Sequence, residues 1–356
     1  MARFALGFGF YHHMLDEGSF RFARQCGATH AVVHLVDYFG GARSVAEVNQ
    51  PVGASGGWGR AGASTERWTA ASLKALRRQI NDAGLELAAI ENFDPAHWYD
   101  VLLGGPKRDE QLEGLCEIIR AVGTAGIPVI GYNFSLAGVA GRVSGPYARG
   151  EAVSVAMDGI DETPVPRGMV WNMVYDEAPP AGSQPSIDQD TLWERLAYFL
   201  DAVIPVAEKS GVRLAAHPDD PPVPRLRDTP RLVHQPALYD RLLALHPSRA
   251  NALEFCLGSV AEMSEGDLYE STERHARNGD IAYIHFRNVQ GKVPHYREAF
   301  VDDGDIDMAR IVEILEAARF DGVMIPDHTP LMQCDAPWHA GMAYAMGYIR
   351  ALQKSA

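Results

Sequence analysis

Short apolar runs alternating with longer segments of helical period dominate this chain, and that alternation constrains its fold more than any other feature. The runs cover 4–10, 30–35, 85–91, 128–134, 212–216, 250–256, 281–286 and 322–325. Helical periodicity follows them over 17–26, 68–83, 109–122, 190–209, 236–245, 266–278, 305–319 and 337–353. In 109–122, for instance, Leu112, Leu115, Ile118 and Ile119 share one stripe. Strands that alternate with helices imply a parallel sheet. Eight such units match a closed α/β architecture, the (β/α)8 TIM barrel, better than an open doubly wound sheet. The glycine-rich dinucleotide fingerprint that would support the open sheet is missing after the first strand. The expectation is one barrel domain over residues 1–356, interrupted by two long Gly- and Pro-rich excursions at about 37–66 and 137–189. Excursions of that length over a compact fold are usually functional. The second is expected to form a lid or an oligomer contact, with the chain assembling as a homo-oligomer, dimer or higher.

Charge and cysteine usage narrow the function classes. The formal net charge is −14 and no basic run offsets it, which argues against a nucleic-acid partner. Cys26, Cys116, Cys256 and Cys334 are too widely spaced for a disulfide framework or a CxxC module, so a reducing cytoplasmic location is expected. The first residues lack the apolar core of a signal peptide. No run approaches the roughly 18 apolar residues of a membrane span.

A barrel displays its chemistry at the C-terminal ends of its strands. The fifth run ends in His217, inside the proline-locked turn His217-Pro218-Asp219-Asp220-Pro221-Pro222. The sixth reaches Cys256, the seventh His285 and the eighth Asp327-His328. Each alone has a plainer reading: a core cysteine, a hydrogen-bonded wall histidine, an aspartate capping a turn. Four successive strand ends delivering imidazole, thiolate, imidazole and carboxylate to one rim instead point to a metal site. That donor set suits Zn²⁺, Fe²⁺ or Co²⁺, with Mn²⁺ possible if substrate oxygens complete the sphere. Glu91, Asn133, Arg287, Asn288 and the Asp219-Asp220 pair also fall near the rim. Arg287 shares the face of His285, where it can clamp a substrate carboxylate or form a barrel salt bridge. Glu254 should point with Cys256, opposite to Phe255, and make an ion pair inside the barrel.

In their order and spacing, His217-Pro-Asp-Asp-Pro-Pro, Cys256-Leu-Gly-Ser, His285-Phe-Arg and Pro326-Asp-His resemble the signature of the mannonate dehydratase family, TIM barrels of the xylose-isomerase-like group. Gly131-Tyr-Asn-Phe and Cys26-Gly-Ala-Thr look like its earlier segments. The resemblance implies that His217, Cys256, His285 and Asp327 bind a divalent metal, most often Mn²⁺ or Fe²⁺. It also implies that His328 is an acid/base residue, and that a sugar acid such as D-mannonate loses water to give a 2-keto-3-deoxy acid. Asn133 and Arg287 are the expected substrate contacts. The sequence departs from the family at Thr329-Pro330, where the family continues Asp-His-Gly-His, and at Pro337-Trp338-His339, where it carries a catalytic tyrosine. His339 is the expected replacement, with Tyr344 as the other candidate. These departures keep open an alternative, a metal-dependent isomerase or epimerase, although such relatives commonly bind metal through two glutamates, an aspartate and a histidine.

Overall fold

The computed structural model describes residues 4–38, 67–171, 173–174 and 181–355. Eight parallel strands close into a barrel: β1 (Ala5–Phe10), β2 (His30–Val33), β3 (Glu86–Ile90), β4 (Val129–Tyr132), β5 (Arg213–Ala216), β6 (Asn251–Cys256), β7 (Ile281–His285) and β8 (Val323–Ile325). Each pairs with its neighbours in sequence order, and β1 closes the ring against β8 through Ala5–Val323 and Leu6–Met324. The outer helices are α1 (Glu17–Cys26), α2 (Ala70–Asp82), α3 (Arg108–Ala125), α4 (Gln189–Ser210), α5 (Leu238–Leu245), α6 (Leu268–Asn278), α7 (Met308–Ala317) and α8 (Pro337–Ser355). The TIM-barrel expectation therefore holds, with boundaries shifted by a residue or a few. No helix among the described residues is long and apolar enough to cross a membrane.

Local chemistry sets where these helices begin and end. Asp16, Asp188, Asp267 and Asp307 each accept a backbone N–H from the first turn of the helix they precede. Gly27, Gly126, Gly211 and Gly279 follow the last turns in the left-handed region, where a side chain would be strained. In β1, Leu6, Phe8 and Phe10 pack into the layer under the helices, while Gly7 and Gly9 alternate with them. A Cβ at Gly7 would approach Val323 Cγ1 to 2.5 Å. Small residues such as Ala89, Ala215 and Ala252 line the interior together with the one large ring of Tyr283. That leaves room inside the barrel for a carboxylate, and Glu254 takes it.

The second excursion is more ordered than its composition suggests. Strands Val143–Ala148 and Ala152–Asp158 pair antiparallel, and the latter pairs with His295–Ala299. His295–Ala299 in turn forms a hairpin with Asn288–Lys292, completing a four-stranded sheet. An isolated bridge from Val153 to Leu331 ties this sheet to the segment after β8. The hairpin over 288–299 has no counterpart in the sequence expectation. The first excursion lies almost wholly outside the described residues; of its start, Tyr38 is buried and its hydroxyl accepts from Asn92 Nδ2 at 3.1 Å.

Candidate active site

Three of the four expected donors converge. His217, Cys256 and His285 each offer a ligand atom within 4.8 Å of the others. The rings of His217 and His285 lie 5.4 Å apart between centroids. Asp327 joins them, its Oδ2 lying 3.4 Å from His285 Nδ1. Its backbone is left-handed, with φ 64°, a conformation that aspartate tolerates better than most residues and one that re-aims the chain at the end of β8. The Nδ1–H of His217 donates to Pro218 O at 2.6 Å, which fixes the tautomer and turns Nε2 toward the cluster. Cys256 Sγ accepts from the Ser259 backbone N–H at 3.5 Å, at the start of a short helix, Leu257–Glu262.

Carboxylates crowd this cluster from below. Glu254 Oε1 and Glu91 Oε2 lie 3.2 and 3.3 Å from His285 Nε2, so both nitrogens of that ring face carboxylates. Glu254 thus points with Cys256 into the barrel, where the expected ion pair is replaced by a 3.2 Å contact between His285 and a carboxyl that burial drives toward its neutral form. Burial pushes the Glu254 carboxyl up, and Glu91 adds to it, to about 8. Burial also disfavours the Cys256 thiolate and the Asp327 carboxylate, but Arg287 beside the sulfur and His285 beside the aspartate hold both well below their ordinary values. Conversely, burial works against the His217 imidazolium, and its bond to Cys256 and the nearby Glu254 lift it to about 9. His285 rises through Asp327, Glu91 and Glu254 despite its burial. The protein alone satisfies this thiolate- and carboxylate-rich pocket by loading protons onto its imidazoles. A divalent cation would satisfy the same excess of negative donors, so the residues present fit a metal.

The cavity above the cluster is lined by strand-end residues, among them Tyr11, His34, Glu91, Asn133, His217, Asp327 and His328, and by Val139, Arg142 and Trp171 from the second excursion. His328 Nδ1 sits 3.1 Å from Glu298 Oε2, and its Nε2 lies 3.1 Å from Asp327 Oδ2. Asn133 is buried in the wall at the end of β4. Arg287 is not a wall residue. Its Nη1 donates to Glu262 Oε1 at 2.7 Å, and its Nη2 donates to Asp220 Oδ2 and, at 3.0 Å, to Ser259 Oγ, so its fork is occupied by the protein itself. Of its two expected roles, the barrel salt bridge is the one this geometry fills.

His339 does not reach the cavity either. It is exposed on α8, edge-on to Phe22 at 4.8 Å. Tyr344 is 37% exposed and packs on Phe300. Among the described residues the cavity phenol is Tyr11, stacked on His34 at 4.6 Å. His34 Nε2 faces Glu91 Oε2 at 3.5 Å, and its buried Nδ1 has no hydrogen-bond partner among the described residues. Tyr11, His34 and Arg142 are absent from the sequence expectation. The strand-end criterion applied to the first two strands would have found Tyr11 and His34; no local signal marks Arg142.

Comparison with known proteins identifies the family to which this chain is related. A family model described as D-mannonate dehydratase (UxuA) matches residues 34–144 and 182–356. The mannonate dehydratase of Streptococcus pneumoniae (strain 70585) is 31% identical over 277 residues, covering 74% of this chain and 75% of its own. That of Streptococcus equi subsp. zooepidemicus (strain MGCS10565) is 32% identical over the same length and coverage. Among solved structures, mannonate dehydratase from Streptococcus suis superposes with a TM-score of 0.77 at 24% identity, covering 100% of this chain and 94% of that one. An L-ribulose 3-epimerase shares the fold at TM-score 0.56 and 16% identity, covering 100% of this chain and 95% of its own.

Proposed function

The chain belongs to the D-mannonate dehydratase family, and from that premise we infer that it is a metal-dependent hydro-lyase converting an aldonate of the D-mannonate type to its 2-keto-3-deoxy acid. Besides family membership, the observation that carries this reading is the convergence of His217, Cys256 and His285 within 4.8 Å, with Asp327 against His285. These four residues would hold a divalent ion. The family resemblance favours Mn²⁺ or Fe²⁺, and the thiolate and imidazoles are also compatible with Zn²⁺ or Co²⁺. When bound, such an ion supplies Lewis acidity that polarises the substrate's carboxylate and C2 hydroxyl and eases proton loss at C2.

The remaining work falls to the wall residues. Glu298 anchors His328 through Nδ1, and Nε2, 3.1 Å from Asp327 Oδ2, is the nitrogen that would take the C2 proton and return one to the departing C3 hydroxyl. No net proton is consumed, so one imidazole suffices for both transfers. Asn133 offers donor and acceptor groups to substrate hydroxyls. Val139 and Trp171 place apolar surface over the cavity and help exclude water.

One observation favours a second reading. Glu91, Glu254 and His285 also bring ligand atoms within 4.8 Å of one another, supplying two glutamates and a histidine, while Asp327 faces the opposite ring nitrogen, His285 Nδ1. That set would suit a metal-dependent sugar isomerase or epimerase. A panel of aldonates and neutral ketoses, supplied with Mn²⁺ under anaerobic conditions, separates the two. Formation of 2-keto-3-deoxy acid supports the dehydratase; turnover of neutral ketoses alone replaces it with the isomerase.

A further inference from the structure

We propose that Arg142, carried to the cavity by the second excursion, recognises the carboxylate of the substrate and sets the preference for sugar acids over neutral sugars, a proposal that rests on the sugar-acid reading above. Among the described residues, three arginines are buried around the site, and they differ in how they are satisfied. Arg231 donates to Gly138 O at 2.7 Å and Pro221 O at 3.1 Å and pairs with Asp219 at 3.2 Å. Arg287 is held by Glu262, Asp220 and Ser259. Arg142 is only 3% exposed, yet its nearest carboxylate oxygens, on Glu298 and Asp220, stand 3.7 and 3.8 Å away, beyond hydrogen-bond distance. Both carboxylates are already engaged elsewhere, Asp220 by Arg287 and Glu298 by His328. Its Nε has no hydrogen-bond partner among the described residues.

A guanidinium stays charged at any pH the protein survives, and Glu298 and Asp220 offset that charge from 3.7 and 3.8 Å, but its buried Nε–H lacks an acceptor at hydrogen-bond distance until one arrives. The guanidinium fork matches a carboxylate, donating to it through two parallel N–H···O contacts. Arg142 lines the same cavity as Asn133, His217, Asp327 and His328, so a carboxylate bound there lies beside the donor cluster and within the reach of the proton-transferring imidazole. Its position is not left to a loose loop. The next residues, Val143–Ala148, are paired into the four-stranded sheet that also carries Glu298. A neutral sugar would reach the cavity and leave the guanidinium unmatched.

The test uses metal-loaded, full-length protein and compares binding and turnover of D-mannonate with binding of D-mannitol, which lacks the carboxylate. Arg142→Met is expected to lower kcat/KM for the acid by roughly 10²–10³-fold, with affinity for the alcohol and metal content unchanged. Arg142→Lys, which keeps the charge without the fork, is expected to lose about tenfold in the acid-over-alcohol ratio. It also serves as the deciding variant if the methionine variant does not fold. Wild-type acid preference in a folded Arg142→Lys or Arg142→Met overturns the proposal. If the wild type itself neither binds nor converts an aldonate, the sugar-acid reading has failed instead.

Discussion

His328 Nδ1 lies 3.1 Å from Glu298 Oε2, a contact that joins the end of the last barrel strand to a hairpin outside the barrel. Burial disfavours charge on Glu298, but His328 beside it holds its carboxyl below the ordinary value. His328→Asn is predicted to lower kcat by roughly 10²–10⁴-fold, the range for a lost acid/base group. Glu298→Gln should cost less, and mainly in kcat, because it releases the ring's orientation while keeping the ring. Steady-state kinetics on the aldonate check both. A Glu298→Gln variant with raised KM and intact kcat would make Glu298 a substrate contact instead.

Cys256→Ser is predicted to reduce metal occupancy of purified protein while leaving the fold intact, because a hydroxyl is a poor substitute for a buried thiolate ligand. His217→Asn should act in the same direction. Elemental analysis alongside circular dichroism reads both quantities. Undiminished occupancy in Cys256→Ser would return this cysteine to a packing role.

Burial opposes the charge of Asp220, yet Arg287, ahead of Arg142, holds its carboxyl below the usual range. A carboxyl depressed in the folded chain contributes stability that is complete above the unfolded value, near 3.9, and is lost as pH falls through the folded value. Asp220→Asn is therefore predicted to destabilise the protein by roughly 3–5 kcal/mol near neutral pH, since it leaves Arg287 short of a buried partner. The gap should narrow below about pH 4. Thermal unfolding of both proteins across a pH series measures it, and a gap that stays constant through that window contradicts the assignment.

Gly131→Ala is predicted to destabilise the barrel by roughly 1–3 kcal/mol and to weaken metal binding. The added Cβ would stand 2.3 Å from Glu254 Oε2 and 2.5 Å from the Tyr283 hydroxyl, and moving Glu254 disturbs His285. Chemical denaturation and a metal titration together test this. A loss of stability with unchanged metal affinity would separate Glu254 from the site.

The barrel was legible because each strand is an apolar run and each helix carries its own period and caps, all of them local signals. The His217, Cys256, His285 and Asp327 cluster was legible for the same reason: one residue at the end of each of four consecutive strands, so the topology alone gathers them. The four-stranded sheet was not. Arg297 pairs with Ala156 across a separation that no local period encodes, and the Gly and Pro content of the excursion masks its strands. Arg142 follows from that sheet and was hidden with it. His339 illustrates the converse. Its place beside the family's tyrosine position suggested a role, but the start of α8 turns it outward onto Phe22. Arg287 shares the face of His285 as alternation requires, yet Glu262 and Asp220 reach it first.

In the proposed function, the rim of His217, Cys256, His285 and Asp327 holds the divalent ion on which dehydration depends. The direct measurement is 2-keto-3-deoxy acid formation from an aldonate by protein of known metal content, before chelation, after it, and after adding back Mn²⁺ or Fe²⁺. The expected result is about one ion per chain, loss of activity on its removal and recovery on its return. Full dehydratase activity in metal-free protein would contradict it.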